Sequence, residues 1–226
     1  SIHNFCNVDL SAFYLDIIKD RLYVSRANSV TRRAAQTTIY YVLDYIVRLM
    51  APILPFTMDE VWRHMVKGDL QREESVHLAS FPVVKKEWLD DGLEERWVAL
   101  LRVKVEVAKA LESARKEKVI GHSLDARVAI IPPDGFMAFL KGYEDTLREI
   151  LIVSRLDVED ARNLEGKVEG EGFIAFESQE VASLKVWVSH AEGKKCERCW
   201  HYSEDVGMNT EYPMVCGRCV SVVSSQ

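Results

Sequence analysis

Cys196 and Cys199 form a Cys-Glu-Arg-Cys knuckle, and Cys216 and Cys219 form a Cys-Gly-Arg-Cys knuckle sixteen residues further on. Two residues between paired cysteines let both sulfurs turn inward from one tight bend. Two such bends supply the four thiolates that zinc takes in tetrahedral geometry, at about 2.3 Å each. Rubredoxin-type iron uses the same ligand set, so spacing leaves iron open beside zinc. Disulfides would suit a secreted chain, which this one does not resemble, and a thioredoxin-like redox pair would need a βαβ setting. Four sulfur ligands leave no open coordination position, so the expected ion holds the fold and catalyses nothing. The segment carries few large apolar side chains, so metal must supply its stability. Gly217 is expected to provide a left-handed residue in the second knuckle. The fifth cysteine, Cys6, reads as a small buried hydrophobe.

The neighbours of the ligands suggest a second chemistry. Lys194, Lys195, Arg198 and Arg218 crowd the knuckles, and Trp200, His201 and Tyr202 follow the first one. Planar rings beside cations are what unstacked bases need, each stack contributing about 1–3 kcal/mol. The alternative is that Trp200 shields the metal cluster and Tyr202 packs on a neighbouring unit. Glu192, Glu197, Glu204, Asp205 and Glu211 leave the segment slightly negative, so any basic surface must be one-sided.

The whole chain carries a net charge of −6, which argues against binding nucleic acid by bulk charge. Residues 19–48 differ: Lys19, Arg21, Arg26, Arg32, Arg33 and Arg48 stand against Asp20 and Asp44. A solvated helix face is the plain alternative there. No run of 18 apolar residues occurs, so no membrane span is expected. The first twenty residues lack a basic leader, and a cytoplasmic chain is expected. Ser1 in place of Met, with a helix pattern under way at once, suggests a piece of something longer.

Four amphipathic helices are expected to position these groups. The first covers residues 9–23, with Asp9 as N-cap. The second covers residues 29–50, with an apolar stripe of Ile39, Leu43, Ile46 and Met50 beside Ala35 and Val42. After Pro52 and Pro55, a Thr57–Glu60 capping box opens a third helix that buries Val61, Trp62 and Met65 and stops at Gly68. Residues 76–81 read as a short extended segment. The fourth helix, residues 93–116, carries a stripe of Trp97, Leu100, Leu101, Val105, Ala108 and Leu111. Helices of this kind can bury their stripes against one another, as a bundle.

Beyond Gly121 the texture changes to an α+β unit. Residues 126–131 and 153–158 read as strands flanking a helix over 135–152. Gly170 and Gly172 bracket turns before 173–176, and residues 183–188 alternate with a period near two. Its acids, among them Glu165, Glu169, Glu171, Glu177 and Glu180, read as a solvated surface. The expected fold is mainly α and multidomain. It comprises an antiparallel helical bundle (1–118), a small α+β junction domain (119–190) and a four-cysteine zinc ribbon (191–226).

The runs NFCNVDLSAFYLDIIKDRLY and SVTRRAAQTTIYYVLDYIVRLMAPILPFTMDEVW resemble the anticodon-binding helical domain of class I synthetases for branched aliphatic amino acids. Within that group, the tail KCERCWHY…CGRC and the segment VIGHSLDARVAII make the whole most similar to bacterial-type isoleucyl-tRNA synthetases. The resemblance covers nearly the whole chain. It implies one structural zinc ion and recognition of the anticodon stem-loop of isoleucine tRNA, and no catalytic residue here. The implied candidates for RNA contact are Lys19, Arg26, Arg32 and Arg33 on the helical part, and Lys195, Arg198 and Trp200 on the zinc module. The family's ATP-dependent activation and editing domains are missing: there is no His-x-Gly-His signature and no Lys-Met-Ser-Lys-type loop. They would be partners on the same polypeptide.

Two other readings stand beside this one. A DNA-repair glycosylase has a zinc tail of similar spacing, but it needs a catalytic N-terminal amine, usually proline, that Ser1-Ile2 does not offer. A protein-interaction zinc ribbon on a helical scaffold would suit the acidic net charge.

Overall fold

The computed structural model describes residues 1–65, 73–160 and 172–224. Gly68, Gly170, Glu165, Glu169 and Glu171 lie outside the described residues. The chain is mainly helical, with a small mixed sheet and a four-cysteine cluster. It divides into two compact units, one made of Ser1–Val24 with Asp91–Gln226 and the other of Ser25–Asp90.

The first unit opens with a helical run. It is wound wide as a π-helix over Phe5–Tyr14, continues through Leu15–Ile17, and ends in α1 (Lys19–Tyr23). Asp9 lies inside the π-helical stretch and does not cap a helix, because the run begins upstream at Ile2. The break before α1 falls at Ile18, whose φ of −88° and ψ of 0° interrupt the regular turn while its side chain stays buried.

In the second unit, α2 (Val30–Met50) starts where expected. The Ser29 hydroxyl accepts from the Arg32 N–H at 3.3 Å, filling one of the orphan donors of the first turn. Its buried residues are Ala35, as expected, and Val47; of the expected stripe Met50 packs partly buried on the core, whereas Leu43 is exposed. α3 (Pro55–His64) begins two residues before Thr57, so the expected capping box does not form. Pro55 has no N–H to satisfy and its φ suits a first helical position, which moves the start upstream. Asp59 is bound elsewhere, its Oδ1 accepting from the Ser75 hydroxyl at 2.5 Å. Trp62 and Met65 are buried as expected, in a core with Val47, Ala51, Met58 and Val76. Residues 76–78 form a 3-10 turn, not an extended segment, because the Ser75 hydroxyl accepts from the His77 N–H and caps it.

Back in the first unit, α4 (Asp91–Lys116) runs for 26 residues. Its buried face is Leu100, Val103, Glu106, Val107, Ala110, Leu111 and Ala114. Val105 and Ala108 point outward. Leu100 and Leu111 of the expected stripe are buried, but the face turns away from Val105 and Ala108 because Glu106, an acid, occupies its centre. That face packs on the sheet and on α6, defined below.

The sheet strands are β1 (Ala126–Ile131), β2 (Arg155–Val158), β3 (Phe173–Glu177) and β4 (Lys185–His190), in the order β2-β1-β4-β3. β1 pairs in parallel with β2 and antiparallel with β4, and β4 pairs antiparallel with β3. The register sets Val128 against Leu156 and Val188, and Ile130 against Val158 and Val186. These are buried β-branched and branched residues on one face, as a sheet covered by helices requires. The single expected helix between β1 and β2 is two, α5 (Met137–Gly142) and α6 (Glu144–Leu151), broken at Tyr143. Ile152 ends α6 in the left-handed conformation at φ 55°.

The tail follows as β5 (Lys194–Lys195), β6 (Tyr202–Ser203) and α7 (Gly217–Val223). It is docked on the sheet: the Tyr202 N–H donates to Ser154 Oγ at 2.7 Å, and the His190 and Tyr202 rings meet edge to face at 4.7 Å.

Candidate metal centre and nucleic-acid interface

The first knuckle spans the turn between β5 and β6. The Cys196 N–H donates to the His201 carbonyl and the Trp200 N–H to the Cys196 carbonyl, each at 2.9 Å. Closing this turn puts Trp200 at φ 65°, a left-handed conformation that costs a side-chain-bearing residue energy. The second knuckle opens α7, with Cys216 extended at the N-cap and Cys219 inside the first turn.

Gly217 does not take a left-handed conformation, contrary to expectation. The helix start keeps it in the ordinary region, and its smallness serves Asp205 instead. A Cβ there would fall 2.7 Å from Asp205 Oδ2, the atom that accepts from the Gly217 N–H at 2.9 Å. The tail takes its positive φ at Gly193 and Gly207 instead, at 87° and 101°, and a Cβ on Gly193 would lie 2.4 Å from the Ser203 backbone.

All four cysteines are buried, and their sulfurs lie within 4.8 Å of one another. The Cys199 and Cys216 sulfurs stand 3.7 Å apart. Metal–sulfur bonds of about 2.3 Å in a tetrahedron require about 3.8 Å. The four sulfurs are thus gathered closely enough to hold one tetrahedral ion, and the Cys199–Cys216 pair already stands at the spacing it requires. As thiols, Cys196, Cys199 and Cys219 would be unequal. Burial pushes Cys199 up to about 11 and raises Cys219 further. Burial also opposes ionisation of Cys196, but the amides of Cys199, Cys216 and Arg198 prevail and bring it down to about 6. Metal binding must displace the remaining protons.

Both knuckle arginines reach the helical run. Arg198 Nη1 donates to the Val24 carbonyl at 2.8 Å and stands 3.6 Å from Cys219 Sγ. Arg218 makes two parallel bonds to the Asp20 carboxylate, at 2.7 and 2.8 Å. Burial disfavours the Arg218 cation, but the hydrogen bonds and charge of Asp20 outweigh it and raise its pKa. Val24 packs among the cysteines in one buried cluster.

The sequence-derived RNA candidates separate into two sets. Lys19, Arg198 and Trp200 line one groove of about 660 Å³ in the first unit, with Arg21, Arg148 and Arg218. Lys19 is exposed and paired with Asp16 at 2.6 Å, and that bond raises its pKa. Trp200 is 60% exposed, so it does not seal the metal cluster. Lys195 lies outside the groove lining, 3.4 Å from Asp125 Oδ1. In the second unit, Arg26, Arg32 and Arg33 cluster at the start of α2. Arg26 is exposed on the preceding loop, and its carbonyl accepts from the Ser29 N–H at 3.0 Å. Arg32 Nη1 donates to the Ser25 carbonyl at 3.3 Å. Arg33 is exposed, with weak bonds at 3.4 Å to Asn28 and 3.3 Å to Gln36.

Sequence reasoning missed Asp20, Asp205 and Arg148. Asp20 was visible only as one of two acids among the bases of residues 19–48, and nothing in the spacing pointed from it to Arg218.

Comparison with known families distinguishes the readings left open. Residues 193–222 match the family described as a zinc finger found in FPG and IleRS, and with the fit of the four sulfurs this assigns zinc as the structural ion. Among curated relatives, the isoleucine–tRNA ligase of Geobacter sulfurreducens is 47% identical over 99% of this chain. That of Moorella thermoacetica is 49% identical over 99%, and that of Caldanaerobacter subterraneus subsp. tengcongensis 47% over 100%. The chain spans 23% of the length of each of these relatives. Residues 1–130, more than half of the chain, match the family described as the anticodon-binding domain of tRNA ligase. The helical part thus has a place in a synthetase, and the chain belongs to that family of tRNA-ligase anticodon-binding domains.

Proposed function

We propose that this chain holds the anticodon stem-loop of isoleucine tRNA and so positions the acceptor end for ATP-dependent ligation of isoleucine, carried out by other domains of the same polypeptide. The observation that carries the reading is the joining, in one chain, of an anticodon-binding match over residues 1–130 to a zinc-finger match over residues 193–222. The relatives that match along this length are isoleucine–tRNA ligases.

The chain's part in the reaction is orientation, to which transfer rates are very sensitive. Arg26, Arg32 and Arg33 serve phosphates of the stem, and their placement on a loop and first helical turn leaves the guanidiniums near solvent. Lys19, Lys195, Arg198 and Trp200 serve the loop, where splayed bases can be stacked and hydrogen-bonded. Labour divides at 1–118, 119–190 and 191–226, although packing groups the residues differently. The site of action is the cytoplasm, and no described helix is long and apolar enough to cross a membrane.

The test is an anisotropy titration of the 226-residue chain with isoleucine tRNA and a non-cognate tRNA, with and without a zinc chelator. Preference for the isoleucine tRNA, lost on chelation, supports the reading. Equal binding to both removes specificity from this chain. No binding even at low salt favours a protein-interaction ribbon.

A further inference from the structure

The two knuckles carry their arginines at equivalent places, one residue before the second cysteine of each pair. Neither guanidinium is turned to open solvent alone. Arg198 donates to the carbonyls of Val24 and Tyr23, at 2.8 and 3.5 Å, where the end of α1 leaves carbonyls without helical partners. Arg218 grips Asp20, one turn earlier, through both of its terminal nitrogens. Both also face the sulfurs: Arg198 stands 3.6 Å from Cys219 Sγ, and Cys199 interacts with Arg218. Four thiolates on one divalent ion leave surplus negative charge, and these cations lie between it and α1. Val24 closes the same contact from the apolar side, buried among the four cysteines.

We propose that Arg198 and Arg218 are positioning residues that carry zinc occupancy into residues 19–24. The groove containing Lys19 and Trp200 then keeps its shape only while the metal is held. The coupling is reciprocal: an α1 that grips the arginines slows loss of the ion, and a bound ion fixes the arginines that hold α1. The dependence lies within one compact unit and needs no RNA, so its failure would be distinguishable from failure of the tRNA reading.

The experiment follows two readouts on the same chain: hydrogen exchange at the amides of residues 19–24, and the rate of zinc transfer to a chromogenic chelator. The variants are Asp20→Asn, Arg218→Gln and both together. With zinc bound, each single variant is expected to speed both exchange at 19–24 and zinc release by about three- to tenfold, as for loss of a bidentate charged pair on a half-exposed surface. The double variant should be no worse than the single ones, since both remove one shared interaction. Arg218→Lys should restore part of each effect. Zinc release unchanged in Asp20→Asn, or additive losses in the double variant, would overturn the proposal. Asp20 lies outside the tail, so this variant still gives the answer if Arg218→Gln fails to fold.

Discussion

The Ser178 hydroxyl donates to Glu106 Oε2 at 2.7 Å, joining the middle of α4 to the turn after β3 in a buried contact. Glu106 is 1% exposed, and its other oxygen accepts from Lys109 Nζ at 2.7 Å. Burial alone would raise this carboxyl's pKa, but the Lys109 and Ser178 bonds prevail and hold it below the usual value of 4.5. A buried carboxylate is tolerated when its lone pairs are met.

Glu106→Ala is therefore expected to lower unfolding free energy by about 1–3 kcal/mol, leaving Ser178 without its acceptor. Urea unfolding at neutral pH reads this directly.

The same group sets a pH dependence. Its folded-state pKa lies below the unfolded 4.5. Its stabilisation is thus complete above that pH and is lost as pH falls below it, through the folded value. Glu106→Gln should remove this contribution, giving a flatter urea midpoint between pH 5 and pH 3 than the parent chain.

Zinc loading should release protons, because thiols such as Cys199, at about 11, must ionise to bind. Affinity measured by competition with a chelator is expected to fall as pH drops. Cys216→Ser should abolish stoichiometric zinc and the visible absorption of a tetrahedral cobalt derivative. Retention of either would mean that the four sulfurs are not the ligands.

Arg33→Ala and Arg32→Ala should differ. Arg33 is exposed and weakly bonded, so its loss should weaken tRNA binding and reduce the log–log salt slope by about 1 without changing stability. Arg32 also holds the Ser25 carbonyl, so its loss should lower the melting temperature as well. An unchanged salt slope in both variants would remove this helix start from the RNA site.

Gly193→Ala should cost at least about 2 kcal/mol, since its φ of 87° is combined with a Cβ position 2.4 Å from backbone atoms. Gly135→Ala, at φ 78° with nothing within 4 Å, should cost about 1 kcal/mol. Thermal melts of the two variants give the contrast.

How much of this was legible in the sequence depended on the range of the interaction. The ligands were evident because four cysteines at two short spacings declare themselves without reference to anything distant. α2 and β1 followed from local signals: Ser29 at a helix start, and the apolar run of residues 128–131 before two prolines. The buried face of α4 did not, because an acid stood in its middle and its partners, Ser178 and the sheet, lie far along the chain. The intramolecular partners of Arg198 were also out of reach: nothing local points to the carbonyls 174 and 175 residues away that it binds. Gly217 was legible as a special position but not for the right reason, since the need was for room beside Asp205.

The Asp20–Arg218 pair also has a meaning in time. The two residues are 198 positions apart. A ribosome adding about 5–20 residues per second therefore makes Asp20 roughly 10–40 s before Arg218 exists. During that interval the first helical run can meet α4, but its final grip must await the tail. Capture of the ion by all four sulfurs must likewise wait until the second knuckle has been made.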